Sequence, residues 1–240
     1  MYFFQSGAER TFGTFDLTHL GVLLTVGILF FFFFKYRDKY ADLKRKDLYG
    51  YIFGGVLLFL DFSFYVWKWR NGNQPHFPIP MHICSWATYL VALSMFTKNE
   101  TLFQISFFYG LTGGLMSLLV PEFGGYSFDH MRFYQFFMLH TMIILGPLYQ
   151  LFAYKRKVNY RFIYVTLGVM WIQAAIAFPV NSFVEQWTGQ RENMMFVFEP
   201  PVPLPGFLGQ SPVYLIVFTF VFMGLWHGYY YLFNSKKVQG

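Results

Sequence analysis

Seven stretches of mostly apolar residues follow one another along the 240-residue chain. A bilayer's hydrocarbon core, about 30 Å thick, is crossed by roughly 20 helical residues. The stretches cover residues 15–34, 48–69, 81–97, 101–120, 131–154, 161–180 and 212–233. Because backbone polar groups inside a bilayer must be hydrogen-bonded within the protein, these stretches predict an all-α polytopic membrane protein with a seven-transmembrane-helix bundle.

The distribution of basic residues predicts the orientation of this bundle. Lys and Arg are concentrated in the connections after spans one, three and five and in the C-terminal pair Lys236 and Lys237. Basic loops stay in the cytoplasm, so we expect the N-terminus outside and the C-terminus in the cytoplasm. The net charge of +6 then reflects topology, and binding of nucleic acid is not expected. No obligate protein partner is inferred either.

The chain is expected to form a single membrane domain over residues 1–240. Its one long connection, residues 181–211, contains four prolines and Gly206, which disfavour a helix there. On the predicted topology this connection is an outer loop that caps the bundle.

Ionisable residues inside membrane spans are costly and are therefore candidates for function. The predicted topology places four of them in the outer half of their spans: His19, Asp61, His82 and His140. Glu122 and Asn181 lie at the outer ends of spans four and six. His140 is either a hydrogen-bonded core histidine or a catalytic base. Asp61 is more simply explained as a structural acceptor for a Tyr, His or Trp donor.

Cys84 is the only cysteine, which excludes an internal disulfide and a cysteine-based metal cluster. Pro80 suits the first position of a helix, so Cys84 is expected near the start of span three, where free backbone amides favour a thiolate. The alternative is a small buried apolar residue. His82 lies about 200° away around the helix, so a base would come from another span, either His140 or His19.

Several segments resemble those of the YwaF family, which includes transmembrane protein 164. The segment Pro80–Ser85 resembles the family's Pro-x-His-x-Cys motif, and the blocks at residues 18–20, 110–115 and 139–140 fit the same family. Asn181 and Asn193 are weaker matches. Met194 departs from the family pattern, which has a tyrosine after Asn193.

The resemblance implies a membrane-embedded acyltransferase in which Cys84 and His140 form the catalytic pair. An acyl group would pass from a phospholipid to a lysophospholipid through a cysteine thioester, without metal or cofactor, and hydrolysis of the donor is a variant of the same chemistry. The remaining candidates would orient the pair or bind substrate: His19, Asp61, His82, Glu122, Asn181 and Asn193. The short chain is similar to bacterial-type members, which implies a multi-pass protein of the bacterial cytoplasmic membrane.

Two other functions are consistent with the residues. A small-solute or proton-coupled transporter would use His19, Asp61 and His140 as an intramembrane pathway. A seven-helix receptor or scaffold would bind a ligand without turnover. The sequence shows no inverted repeat and no long cytoplasmic loop, which disfavours both.

Overall fold

A computed structural model describes residues 2–5, 10–71, 79–189, 191–201 and 203–235. Lys236 and Lys237, used above to orient the chain, lie outside the described residues. The described part is all-helical apart from one isolated bridge between Thr11 and Tyr126. Its seven α-helices are α1 (Leu17–Lys35), α2 (Lys46–Arg70), α3 (Ile83–Thr97), α4 (Glu100–Leu119), α5 (Met131–Ala153), α6 (Arg161–Thr188) and α7 (Val213–Phe233).

Each helix corresponds to one predicted span, with one clear difference in length. We predicted that span six ends at residue 180, but α6 continues to Thr188. It ends where Gly189 adopts a left-handed conformation with φ 71°, a common helix terminator. We placed the end of the span where the sequence becomes less apolar. The end of the helix is instead set by the backbone conformation at Gly189.

Six of the seven helices are long and apolar enough to cross a membrane. The exception is α3, whose 15 residues extend only ~22 Å at 1.5 Å per residue. The protein is therefore a polytopic helical membrane protein, and α3 is its shortest helix.

The centre of the bundle is formed by α4 and α5. In their most apolar windows, 72% of α4 and 83% of α5 are buried, against 11% for both α1 and α7. Most of the fully buried aromatic side chains lie on or against α4, among them Phe103, Phe107, Phe108 and Tyr109. The two terminal helices therefore present most of their surface outward, as expected for helices that contact lipid.

Neighbouring helices run in alternate directions, as contacts at the two ends show. At one end, the start of α1 meets the end of α4, where His19 bonds to the carbonyl of Leu118 at 2.8 Å. The same end holds the end of α2 and the start of α5, with the rings of Trp67 and His130 5.6 Å apart. We call this the first end. At the opposite end, Lys98 after α3 pairs with Asp47 at the start of α2 at 3.3 Å.

Candidate functional site

A cavity of about 490 Å³ lies toward the first end of the bundle. Residues from every α-helix except α1 line it, and Cys84 and His140 are both among them. Asp61, His82 and Glu122 line the same cavity. The structure thus brings together five of the eight residues predicted to form a site.

Adjacent glycines on α4 bring the elements that carry Cys84 and His140 close to the same helix. A Cβ atom added to Gly113 would lie 3.1 Å from the backbone nitrogen of Cys84 and 3.2 Å from its Cα. A Cβ atom added to Gly114 would lie 2.9 Å from the carbonyl oxygen of His140. Since a side chain at either position would push these backbones away, α4 sets the positions of both residues.

Cys84 lies in the first turn of α3, as predicted. His82, the N-cap of α3, makes no side-chain capping bond, and the amides of this first turn have no intrahelical acceptor. The hydroxyl groups of Ser85 and Ser117 and the backbone amide of Ser85 lie beside the thiol. These groups are hydrogen-bond donors to a thiolate, or to an oxyanion formed next to it.

His140 is held with one ring nitrogen available. Its Nδ1 lies 2.7 Å from the carbonyl oxygen of Phe136, and because a carbonyl only accepts, Nδ1 carries the proton. Its Nε2 is buried and has no hydrogen-bond partner among the described residues. The unprotonated Nε2 of a neutral imidazole is a proton acceptor, so the geometry leaves this atom free to act as a base.

The thiol and the imidazole share the cavity without bonding to each other. No hydrogen bond joins the Cys84 sulfur to His140 Nε2 within the described residues. In ligand-free sites, catalytic hydrogen bonds are often long and shorten when substrate binds. Cys84 and His140 thus lie on separate helices and both line one pocket.

The walls of the cavity differ in polarity. Its charged lining residues come from α2, from α5 and from the connecting segments, namely Asp61, Lys68, Glu122, Arg132 and Glu192. The lining residues from α6 and α7 are apolar except Thr219, and include Met170, Trp171, Leu215, Phe218 and Phe222. A molecule with a charged head and apolar chains matches this distribution.

Asp61 and His82 line the cavity and also make structural contacts. The hydroxyl of Tyr89 donates to the Asp61 carboxylate at 2.6 Å, which is the kind of acceptor role we expected for this residue. The His82 ring packs against Phe196 of the connection after α6, at 5.2 Å between centroids. His82 therefore links the start of α3 to the segment that covers the cavity.

His19, which we predicted to orient the pair or bind substrate, does not line this cavity. It is fully buried, and its Nδ1 accepts from the backbone of Phe15 at 2.9 Å while Nε2 bonds to the Leu118 carbonyl. Nε2 thus holds α1 against α4, and Nδ1 holds the backbone just before α1. The first turn is further fixed by Asp16, whose pKa is lowered chiefly by the bond from the His19 amide.

Asn181 and Asn193 are also structural and do not line the cavity. Asn181 is buried within α6 and makes two bonds with the backbone of Met194, at 2.9 and 3.1 Å. Asn193 bonds to the backbone of Phe198 at 3.0 Å and to that of Glu199 at 2.9 Å. Together they fold the connection after α6 back, so that Met194 and Phe196 line the cavity.

Several cavity residues with polar side chains were not predicted, among them Lys68, Thr112, Ser117 and Arg132. Arg132 lies within the predicted span 131–154, so its charge inside an apolar stretch was a usable signal. Ser117 carried no such signal, because a serine in a membrane helix is commonly a packing residue.

No cluster of three or more His, Cys, Asp or Glu side chains suited to a metal ion occurs in the part of the chain that the structure describes. The polar groups of the cavity are instead single donors and acceptors on different helices.

The sequence model of the TMEM164 family matches residues 11–230 of the chain. No curated protein and no solved structure matches the chain.

Proposed function

This chain belongs to the TMEM164 family, and we propose that it is a phospholipid acyltransferase that carries the acyl group on Cys84. One observation supports this above all others: Cys84, the only cysteine of the chain, and His140, whose buried Nε2 has no partner among the described residues, both line one cavity with a charged wall and an apolar wall. A phospholipid has its acyl esters between a charged headgroup and apolar chains. Its ester carbonyl would therefore lie near the thiol.

In the first half reaction, His140 Nε2 takes the thiol proton and the Cys84 sulfur attacks the carbonyl carbon of an acyl ester. The carbon–oxygen ester bond then breaks, and the released alkoxide takes the proton from Nε2, which gives a lysophospholipid and an acyl-cysteine. Backbone amides in the first turn of α3 and the Ser117 hydroxyl would stabilise the oxyanion.

In the second half reaction, the hydroxyl of an acceptor lysophospholipid gives its proton to Nε2 and its oxygen attacks the thioester carbonyl. The carbon–sulfur bond breaks, and the thiolate recovers the proton. Water in place of the acceptor would give hydrolysis by the same steps. The bond between Nδ1 and the Phe136 carbonyl keeps the imidazole in the required tautomer throughout.

The proposal includes the membrane arrangement. All seven helices would cross the membrane, with α3 starting below the surface so that its first turn lies among the lipid esters. The opposite end carries Lys46, Lys98 and Arg156, which favours a cytoplasmic location for that end and an outer location for the cavity. The protein would then act on the outer leaflet of the bacterial cytoplasmic membrane.

The test is the intact mass of purified protein after incubation with phosphatidylcholine vesicles. We expect an added acyl mass on Cys84 that hydroxylamine removes at neutral pH, as it does for a thioester. Cys84→Ser should abolish the hydroxylamine-sensitive adduct, and His140→Ala should lower its rate of formation by about 100- to 10,000-fold.

His227→Ala is the matched control, because His227 contacts Tyr160 at the opposite end of the bundle and does not line the cavity. It should form the adduct at the rate of the unmodified protein. If the unmodified protein forms no adduct and transfers no acyl group, the acyltransferase proposal is wrong. Proton-coupled uptake that survives replacement of Cys84 would support the transporter instead.

A further inference from the structure

The guanidinium of Arg132 is a buried cation that forms no ion pair among the described residues. The residue is only 9% exposed, lines the cavity and, within the described part of the chain, makes one side-chain hydrogen bond, to a neutral group, the amide oxygen of Gln135. Asp61 lies near enough to interact with the guanidinium electrostatically, but no Asp or Glu oxygen of the described residues lies within 4 Å of it. A buried cation that no carboxylate contacts directly points to an anion that comes from outside the protein.

We propose that Arg132, assisted by Lys68, binds the phosphate group of the substrate lipid. This inference rests on the proposed function for the identity of the lipid. A guanidinium has five N–H donors in a planar arrangement that matches phosphate oxygens, and only one of them is used by Gln135. Because Arg132 lines the cavity, its remaining N–H donors are available to a ligand there.

Three contacts hold the Arg132 side chain and backbone in place. The Phe64 ring lies 4.0 Å from the guanidinium carbon, which is a cation–π contact. The backbone N–H of Arg132 donates to His130 Nδ1 at 3.0 Å. Gln135 in turn donates to the Leu60 carbonyl at 3.0 Å, which connects the guanidinium to α2. The guanidinium is therefore preorganised by groups that carry no negative charge.

Lys68 supplies a second cation on the same wall. It follows Phe64 by one helical turn on α2, so both side chains lie on the same face, and both line the cavity. Lys68 is half-buried and feels the charge of Glu192, as Arg132 feels the charge of Asp61, and neither cation forms an ion pair among the described residues. Because Arg132 is more deeply buried and has more N–H donors, it is the principal phosphate ligand, and Lys68 is secondary.

The spacing along α5 agrees with the dimensions of a lipid. Arg132 precedes His140 by about two helical turns, ~12 Å along the axis, and the long arginine side chain shortens the gap to a bound phosphate. A phosphate at Arg132 would place the acyl esters near Cys84 and direct the chains toward α6 and α7. The subsite would therefore fix which part of the lipid meets the thiol.

The experiment compares two acyl donors with identical chains, dioleoylphosphatidylcholine and dioleoylglycerol, which lacks the phosphate. The first readout is the ratio of the acylation rates of Cys84 with the two donors. The second is native mass spectrometry of the lipids bound to the full-length protein. The variants are Arg132→Gln, Arg132→Lys and Lys68→Gln, with Arg161→Gln as the control because Arg161 is exposed at the start of α6.

We expect Arg132→Gln to lower the ratio of the rates by about 10- to 100-fold, the effect of losing charged hydrogen bonds. Arg132→Lys should recover part of it, Lys68→Gln should lower it by less, and Arg161→Gln should leave it unchanged. Retention of phosphatidylcholine over dioleoylglycerol in native spectra should fall in the same order.

The phosphate proposal is overturned if Arg132→Gln lowers the rates with both donors equally, since that result indicates a structural role. The failure of the proposed function is distinguishable from this outcome. If no donor acylates Cys84, the native spectra still decide whether Arg132 selects the phosphate-bearing lipid, and unchanged selection in Arg132→Gln would refute it.

Discussion

The close approach of α4 to the start of α3 predicts that Gly113→Ala will impair the cysteine while leaving the fold intact. The added Cβ would lie 3.1 Å from the Cys84 nitrogen, 3.2 Å from its Cα and 3.3 Å from the Ile83 side chain, all inside the 3.4 Å at which ordinary contact begins. Two of these atoms are backbone, so they cannot move by a change of rotamer. Relief requires α3 to shift by ~0.3 Å or more at its first turn.

The expected magnitudes follow from this displacement. Overpacking lowers the free energy of unfolding by about 1–3 kcal/mol, whereas replacing glycine by alanine inside a helix raises it by about 1 kcal/mol. The net loss of stability is therefore about 0–2 kcal/mol. A misplacement of about 1 Å costs roughly 100-fold in rate, so a shift of a few tenths of an ångström should cost about 3- to 10-fold in acylation of Cys84.

The assay measures acylation by phosphatidylcholine and the rate of alkylation of the single thiol by a maleimide, together with the midpoint of thermal unfolding. Gly168→Ala is the matched control. Gly168 lies on α6, and a Cβ atom added there would have no neighbouring atom within 4 Å. It should be as stable as the unmodified protein or slightly more stable, with unchanged thiol chemistry. If Gly113→Ala acylates and alkylates at the unmodified rates, α4 does not fix the position of Cys84.

The other predictions concern residues that the structure assigns to the support of the site. His19→Ala should lower the free energy of unfolding by about 2–4 kcal/mol, because one buried and one partly buried hydrogen bond are lost with a fully buried side chain. A thermal midpoint equal to that of the unmodified protein would contradict this role. Asn181→Ala should release the backbone of Met194 and make the connection after α6 cleavable by protease, and unchanged resistance to cleavage would show that these bonds are dispensable. Tyr89→Phe should cost about 1.5–3 kcal/mol in a denaturation experiment, because the Asp61 carboxylate loses its donor, and no loss would mean that another group satisfies it.

Much of the fold was predictable because the bilayer imposes a simple rule on sequence. Seven apolar runs gave seven helices in the described residues, with bounds mostly within a few positions. The end of α6 was missed because residues 181–188 are more polar than a typical span but still continue the helix. There, Asn181 is buried by the connection that folds over it, which hydropathy along the chain does not record.

The sequence by itself determined that the chain is a membrane-embedded helical protein and that Cys84 lies at the start of a short helix. It also indicated that a base would come from another helix. Only the tertiary structure distinguishes His140 from His19, because both nitrogens of His19 are bonded, Nδ1 to Phe15 and Nε2 to Leu118, whereas Nε2 of His140 has no partner among the described residues. Arg132 became a candidate for a related reason. Whether a buried charge forms an ion pair depends on which side chains surround it, and the sequence does not specify those neighbours.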